Sequence, residues 1–171
     1  MLDIHVLTLP GLPEEFEKER RASLELAIAN AGFPVEVHEV PGIAGDFGTA
    51  RSNAYSHGEY PYVGFVDEDD YVMPNAFSCL TEALADKPDA IYTGEIVLYE
   101  GKTLNRNTRH NLAVYRRELI DHELLRRWNF RADRAMSAIA ERGKVVDVPD
   151  YVYVYRYRPD SPARIHGGKR G

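Results

Sequence analysis

The chain has 171 residues, 44% hydrophobic and 28% charged, and a net charge of −6, the profile of an ordinary globular domain rather than a disordered tail. One cysteine, Cys79, leaves no partner for an internal disulfide, and no run of about 18 apolar residues offers a membrane span. The charge is unevenly divided: residues 1–100 carry 5 basic and 19 acidic side chains, residues 101–171 carry 16 and 8, which suggests two surfaces with different partners.

Residues 2–9, LDIHVLTL, alternate and then turn apolar, and so read as an opening strand that Pro10, Gly11 and Pro13 end. A helix follows from Glu14 to Ala31, with an acidic first turn, Phe16, Leu24 and Ile28 at helical spacing, and Gly32 as its stop. Val35 to Val40 reads as a second strand. The glycine-rich stretch 41–49 reads as a loop, with a helix from Thr49 to about His57. Tyr62 to Val66 is short, aromatic and β-branched, a buried strand, and the acids Asp67, Glu68, Asp69 and Asp70 follow it directly. A third helix is expected from Pro74, with Phe77, Leu80 and Leu84 on one face and Cys79 at the edge of the core.

Ala90 to Thr93 reads as a strand, and a hairpin turning at Glu100-Gly101 joins 96–99 to 103–104. Leu112 to Tyr115 reads as a strand, 119–128 and 131–142 as helices, and 145–148 and 151–157 as two strands. Trp128 reads as a core residue, with a ring that stacks on the acceptor as the other reading. The Gly- and Arg-rich end from Pro159 is expected to be mobile. Strand–helix alternation over the first 94 residues argues for an α/β fold, a mostly parallel sheet flanked by helices in one compact domain, 1–171. In such sheets ligands sit beyond the carboxyl ends of the strands, which is where the acidic run falls.

Four consecutive acids after a buried strand repel one another unless a cation sits among them. Magnesium or manganese takes carboxylate oxygens and keeps positions for water and phosphate. A solvated acidic turn capping the next helix is the other reading of the same residues.

Residues 50–74 read ARSNAYSHGEYPYVGFVDEDDYVMP. This resembles the segment of family 2 glycosyltransferases in which an A-R-N element leads through a helix and an aromatic strand to D-x-D-D and a proline. Ala50-Arg51, Tyr62-Val63, Phe65, Asp67, Asp69, Asp70 and Pro74 match; Ser52 and Ala54 depart from the usual Asn and Gly. The resemblance implies a GT-A, Rossmann-like fold and a metal-dependent hexosyltransferase using a nucleotide-diphospho-sugar, with UDP as the expected nucleotide. Residues 1–100 would be the donor half and 101–171 the acceptor half with its basic tail.

By this resemblance Asp67 lies near the ribose and metal, and Asp69 is the direct metal ligand, with Glu68 between them at the donor. Thr8, Leu9 and Pro10 pass close to the base, and Glu39 or Asp46 reads the uracil. Arg51 contacts the nucleotide or diphosphate, or else forms a helix-end salt bridge. Arg156 and Arg164, within a basic stretch that also holds Arg158, Lys169 and Arg170, are expected to meet the diphosphate. His166 is a candidate to complete the metal shell, although Arg156 occupies the place where some family members carry that histidine.

Inverting transfer needs a general base. The family's acidic pair is absent here; anchored on Gly143 it would fall at Arg131 and Ala132, and Asp133, one residue on, is taken as the base. Asp121 and Glu123 are the fallbacks. His110 is a surface histidine or an acceptor contact.

The basic second half implies an anionic acceptor, either modified nucleic acid or a phosphate-containing polymer or lipid. With no charged-then-apolar leader, a cytoplasmic location is expected. Two other readings stand beside this one. The opening strand, the Arg20-Arg21 helix and the acidic cluster also resemble the lipopolysaccharide-type family 25 enzymes. A nucleotide-sugar-binding protein without catalysis would keep the donor features and lack the acidic pair.

Overall fold

The computed structural model describes residues 1–107 and 112–158. The first elements are β1 (Leu2–Thr8), α1 (Glu14–Ala29), β2 (Val35–Pro41), α2 (Phe47–Ala54) and β3 (Tyr62–Phe65). β1 pairs in parallel with β2 on one side and β3 on the other. A short β4 (Tyr71–Val72) and a 3-10 turn (Ser78–Leu80) lead to α3 (Thr81–Ala85), β5 (Ala90–Tyr99) and β6 (Lys102–Asn107). β7 (Val114–Arg116), α4 (His122–Trp128), α5 (Ala132–Ala140) and β8 (Val145–Arg156) complete the described chain.

The sheet order is β2-β1-β3-β7-β5-β8-β4, with β6 attached to β5. β7 is antiparallel to both β3 and β5, so those two run the same way, and β8 is parallel to β5. Five of the eight strands therefore point in one direction, with β4, β6 and β7 reversed. The mostly parallel sheet expected from the sequence is present, with β7 inserted at its centre.

Alternation along β1 explains how the sheet is covered. Leu2, Ile4 and Val6 join Leu24 and Ala27 of α1 in the larger core cluster, and each such aliphatic side chain contributes roughly 2 kcal/mol by leaving water. On the opposite face Leu7 meets Val40, Ala50 and Ala54 under α2. Glu14, Glu15 and Glu17 lie in the first turn of α1, where the helix dipole favours negative charge. Asp46 caps α2 by accepting the Thr49 N–H at 3.1 Å. A methyl group at Gly48 would fall 2.2 Å from the Leu125 carbonyl oxygen, so glycine is what lets α2 lie directly on α4. That contact fixes the place of Arg51, one turn further on.

Four expectations need correction. Residues 90–93 and 96–99, expected as separate strands, are one continuous strand, β5. The helix expected from Pro74 starts only at Thr81; residues 74–80 wind in turns and a 3-10 segment, although Phe77 and Leu80 are fully buried as anticipated. The two strands of the last segment are one, β8, because Pro149 is absorbed by a bulge. Tyr92 pairs with Asp147 and Gly94 with Tyr151, which spares the proline a ladder bond it cannot donate. Trp128 is not core: it is 43% exposed at the end of α4. Cys79 does pack against the core, where burial pushes its thiol up to about 12.

Candidate functional site

A cleft opens at the carboxyl ends of β1, β3 and β8. Leu7, Leu9, Pro10, Gly11 and Leu12 form one wall, and the acids after β3 form the floor. Tyr155, Arg156 and Arg158 close the far side, and Phe47 of α2 completes the rim. The acidic run does not act as a unit. Asp67, Glu68 and Asp69 line the cleft, whereas Asp70 is fully buried and accepts the Tyr153 hydroxyl at 2.7 Å and the Arg156 N–H at 2.8 Å. Burial, then the charges of Asp67 and Asp69, raise Asp70 well above the ordinary carboxylate range. The Tyr153 hydroxyl also accepts the Asp67 N–H at 3.0 Å, so one phenol ties the first acid of the run to the last.

The cleft acids sit in a strained electrostatic setting. Burial raises Asp69, with Asp67 adding to the effect and Arg158, 3.5 Å away, opposing it. Glu68 is pushed up to about 7, mainly by burial, although it accepts the Leu9 N–H. The Glu68 carbonyl accepts Arg20 at 3.1 Å. Asp67 and Asp69 both line this cleft and could share a hard divalent cation with water and phosphate, whereas Glu68 is taken up by the Leu9 N–H and the three acids do not converge as a ready three-ligand cluster.

Arg51 organises the approach to these acids. It is 1% exposed, its guanidinium lies 3.6 Å from the centre of the Phe65 ring, and Phe47 is 5.9 Å away. Its Nη2 is 3.4 Å from Asp67 and its Nε 3.8 Å from Asp133. Burial works against the charge, but the fields of Asp133, Tyr55 and Asp67 outweigh it and raise the Arg51 pKa. Asp133, in the first turn of α5, is thereby drawn beside the acid that opens the run.

The other residues singled out from the sequence have definite places. Leu9 and Pro10 line the cleft, while the Thr8 hydroxyl donates to the Val40 carbonyl at 3.4 Å. Asp46 is the α2 cap, and Glu39 pairs with Arg20 at 2.8 Å and Arg21 at 2.6 Å. Arg156 reaches the cleft with its guanidinium stacked against Phe16 at 4.5 Å and Tyr71 at 4.7 Å. It donates to the Asp69 carbonyl at 2.7 Å and pairs with Glu19. Asp121 caps α4 by accepting the Leu124 N–H at 2.9 Å, and Glu123 is exposed in that helix. Arg164, His166, Lys169, Arg170 and His110 lie outside the described residues. Phe47, Tyr153 and Tyr155 were not anticipated. The alternation of YVYVYRY does place both tyrosines on one face of β8.

A cleft at the carboxyl ends of a mostly parallel sheet, floored by acids that leave its third strand, defines a GT-A type, Rossmann-like α/β domain. Glycosyl transferase family 2 matches residues 31–142, well over half the sequence, and the chain belongs to that family. No curated protein matches the sequence. Among solved structures, S. aureus TarS 1–349 superposes with a TM-score of 0.64 at 17% identity, over 91% of this chain and 60% of that one. The same TarS fragment in complex with UDP-GlcNAc gives 0.67 at 16% identity, over 95% and 60%. The bifunctional IspDF from Campylobacter jejuni gives 0.55 at 15%, over 86% and 49%. The chain thus spans about 60% of the TarS fragment, and these likenesses establish the fold.

Proposed function

We propose that this chain transfers a hexosyl group from a UDP-sugar to a hydroxyl acceptor, with inversion and with Mn²⁺ or Mg²⁺ at the cleft acids. The observation that carries the reading is the Arg51 bridge. A buried cation spans Asp67, at the donor floor, and Asp133, from the second half of the chain. An inverting transferase needs just such a juxtaposition of a diphosphate-side acid and an acceptor-side base. That TarS was solved with UDP and with UDP-GlcNAc supports the choice of nucleotide.

In this reading residues 1–100 supply the donor half. Leu9 and Pro10 flank the base, Thr8, with its hydroxyl turned to the Val40 carbonyl, holds them in place from the end of β1, and Asp46 is a candidate uracil contact if the cap opens. Asp67 and Glu68 hold the ribose side, and Asp69 with Asp67 holds the metal. The metal, when bound, neutralises charge developing on the departing diphosphate. Arg158, within 3.5 Å of Asp69, is placed to add a cation on the same side, and Arg156 backs it. Asp133 takes the proton from the acceptor hydroxyl as the anomeric carbon is attacked. Arg51 positions Asp133 without touching the sugar.

The acceptor surface lies around Asp133. Arg126, Arg127, Arg131 and Arg134 are exposed there, together with Trp128 and Phe130. Phe130 is 6.0 Å from Phe47, which borders the donor cleft. Cations interleaved with open aromatic rings favour an anionic polymer as the acceptor, nucleic acid or a phosphate-containing chain. Among the described residues no helix is long and apolar enough to cross a membrane. With a single cysteine, a cytoplasmic setting is the one we favour.

The test is thermal stabilisation by UDP-sugars with and without Mn²⁺. The expected result is stabilisation that requires both ligands and is lost in Asp69→Asn, with the apo melting temperature retained because the change removes charge but little volume. Equal stabilisation of variant and parent removes Asp69 as a metal ligand. Stabilisation without any transfer to a panel of anionic acceptors would favour a nucleotide-sugar-binding protein instead.

A further inference from the structure

The sheet carries a second polar constellation at its other end. Asp3 and His5 on β1 pair in register with Glu36 and His38 on β2, so all four side chains emerge on one face, near the amino ends of the strands. The donor cleft lies at the carboxyl ends. A hollow over this face is lined by Glu36, His38, Gly58, Glu59 and Tyr60.

One oxygen atom each from Asp3 and Glu36, with a ring nitrogen of His38, lie within 4.8 Å of one another. The Asp3 carboxylate is fully buried and rigidly held. Its Oδ2 accepts the Tyr60 N–H at 2.8 Å and pairs with Arg117, while its Oδ1 faces His38 Nε2 at 2.9 Å. The backbone comes close because residue 58 is glycine: with φ of +80°, a methyl group there would stand 2.4 Å from the Asp3 carboxylate. His57, exposed on the same loop, has its ring 6.5 Å from that of His38.

We propose that Asp3, Glu36 and His38 form a structural site for a divalent transition ion of the zinc class, separate from the donor cleft. The donor set is the argument. One imidazole and two carboxylates suit such an ion better than magnesium, which prefers oxygen alone. Ligand atoms around a tetrahedral zinc stand about 3.4 Å apart, given bonds of about 2.1 Å. The exposed Glu36 can close the remaining gap by side-chain rotation. Arg117 and the Tyr60 N–H hold Asp3 from behind, as outer partners hold a metal-binding carboxylate. His38 would bind through Nε2 and carry its proton on Nδ1. Water would fill the positions that these three residues leave open. An ion here would fasten the outer strand β2 to β1, and it does not depend on the transferase reading.

The experiment is calorimetric titration of tag-free full chain with ZnCl2 in an Asp69→Asn background, so that donor-cleft binding does not contribute. Co²⁺ serves as the spectroscopic probe of ligand type. The expected result is one equivalent of Zn²⁺, visible Co²⁺ bands, and a rise in melting temperature. Glu36→Gln and His38→Gln should each weaken binding by more than about 100-fold, beyond the 10–100-fold that outer-shell changes cost. Glu36 is exposed, so its variant folds even if that of His38 does not. Absence of Zn²⁺ binding, or unchanged affinity in Glu36→Gln, overturns the proposal and leaves Asp3–His38 as a plain ion pair.

Discussion

Replacing Arg51 by methionine tests the organisation of the cleft most directly. The substitution keeps an unbranched side chain of similar reach but removes the cation. Two consequences add. The contact with the Phe65 ring, at 3.6 Å, is close and desolvated, worth about 1 kcal/mol. The side chains of Asp67 and Asp133 are 32% and 33% exposed, so losing their partner costs less than the 3–5 kcal/mol of a fully buried pair, and about 2 kcal/mol is appropriate. Together these give a loss of about 3 kcal/mol, to be read from urea unfolding at pH 7. Arg51→Lys keeps the charge but not the planar stack on Phe65, and should lose about 1–2 kcal/mol. A double-mutant cycle of Arg51→Met with Asp133→Asn separates the pair from the packing, and a coupling of about 1 kcal/mol is expected. If Arg51→Met unfolds at the parental urea midpoint, or the cycle shows no coupling, the bridge has no energetic meaning and the positioning argument fails.

Asp133→Asn should retain UDP-sugar binding while lowering transfer by at least about two orders of magnitude, the scale of a lost general base; transfer at the parental rate would move attention to Asp121 and Glu123. Glu68 makes a pH prediction. Its folded pKa, about 7, lies above the ordinary 4.5, so the protonated form favours folding. That stability is fully present below about pH 4.5 and is lost as pH rises through about 7, with a swing of about 1–2 kcal/mol after allowance for partial solvation. Glu68→Gln should flatten this slope in stability measured across that window, and an unchanged slope would refute the assignment. Binding of a polyanionic acceptor should weaken steeply between roughly 50 and 200 mM salt. Arg126→Ala with Arg127→Ala should make the log–log slope shallower, and an unaltered slope would take those residues out of the acceptor surface.

The parts of the fold that were legible in the sequence are those governed by neighbours along the chain. The alternation of LDIHVLTL, the acidic first turn after Pro13, and the aromatic strand running into Asp67 are local signals, and each became the element it suggested. The turn at Glu100-Gly101 is likewise local, with φ of 47° and 73°. What remained hidden depends on pairing at long range. Nothing near Val114 says that β7 slots between β3 and β5, because that place is decided by which strand edges are left open. The acidic run read as a unit, yet Tyr153 takes Asp70 inward and leaves Asp67 and Asp69 outward. The sequence did hold one unread signal: Asp3-Ile4-His5 and Glu36-Val37-His38 repeat the same acid-apolar-histidine spacing, and parallel register sets the two side by side.

β6 has a consequence of a different kind. All six of its residues are exposed, and among the described residues it pairs only with β5, so one full row of backbone donors and acceptors faces outward. An uncovered ladder is a template on which a second chain can add, the first step toward insoluble stacking. Its composition, KTLNRN, counters this. Lys102 stands at one end as a repelling charge, Asn105 and Asn107 are poor strand formers, and only Leu104 offers an oily hold, while Arg106 is turned to its ion pair with the buried Glu95 of β5. The solubility of the folded domain therefore rests partly on a strand that contributes little to its interior, and that strand is the one least free to drift toward valine and isoleucine.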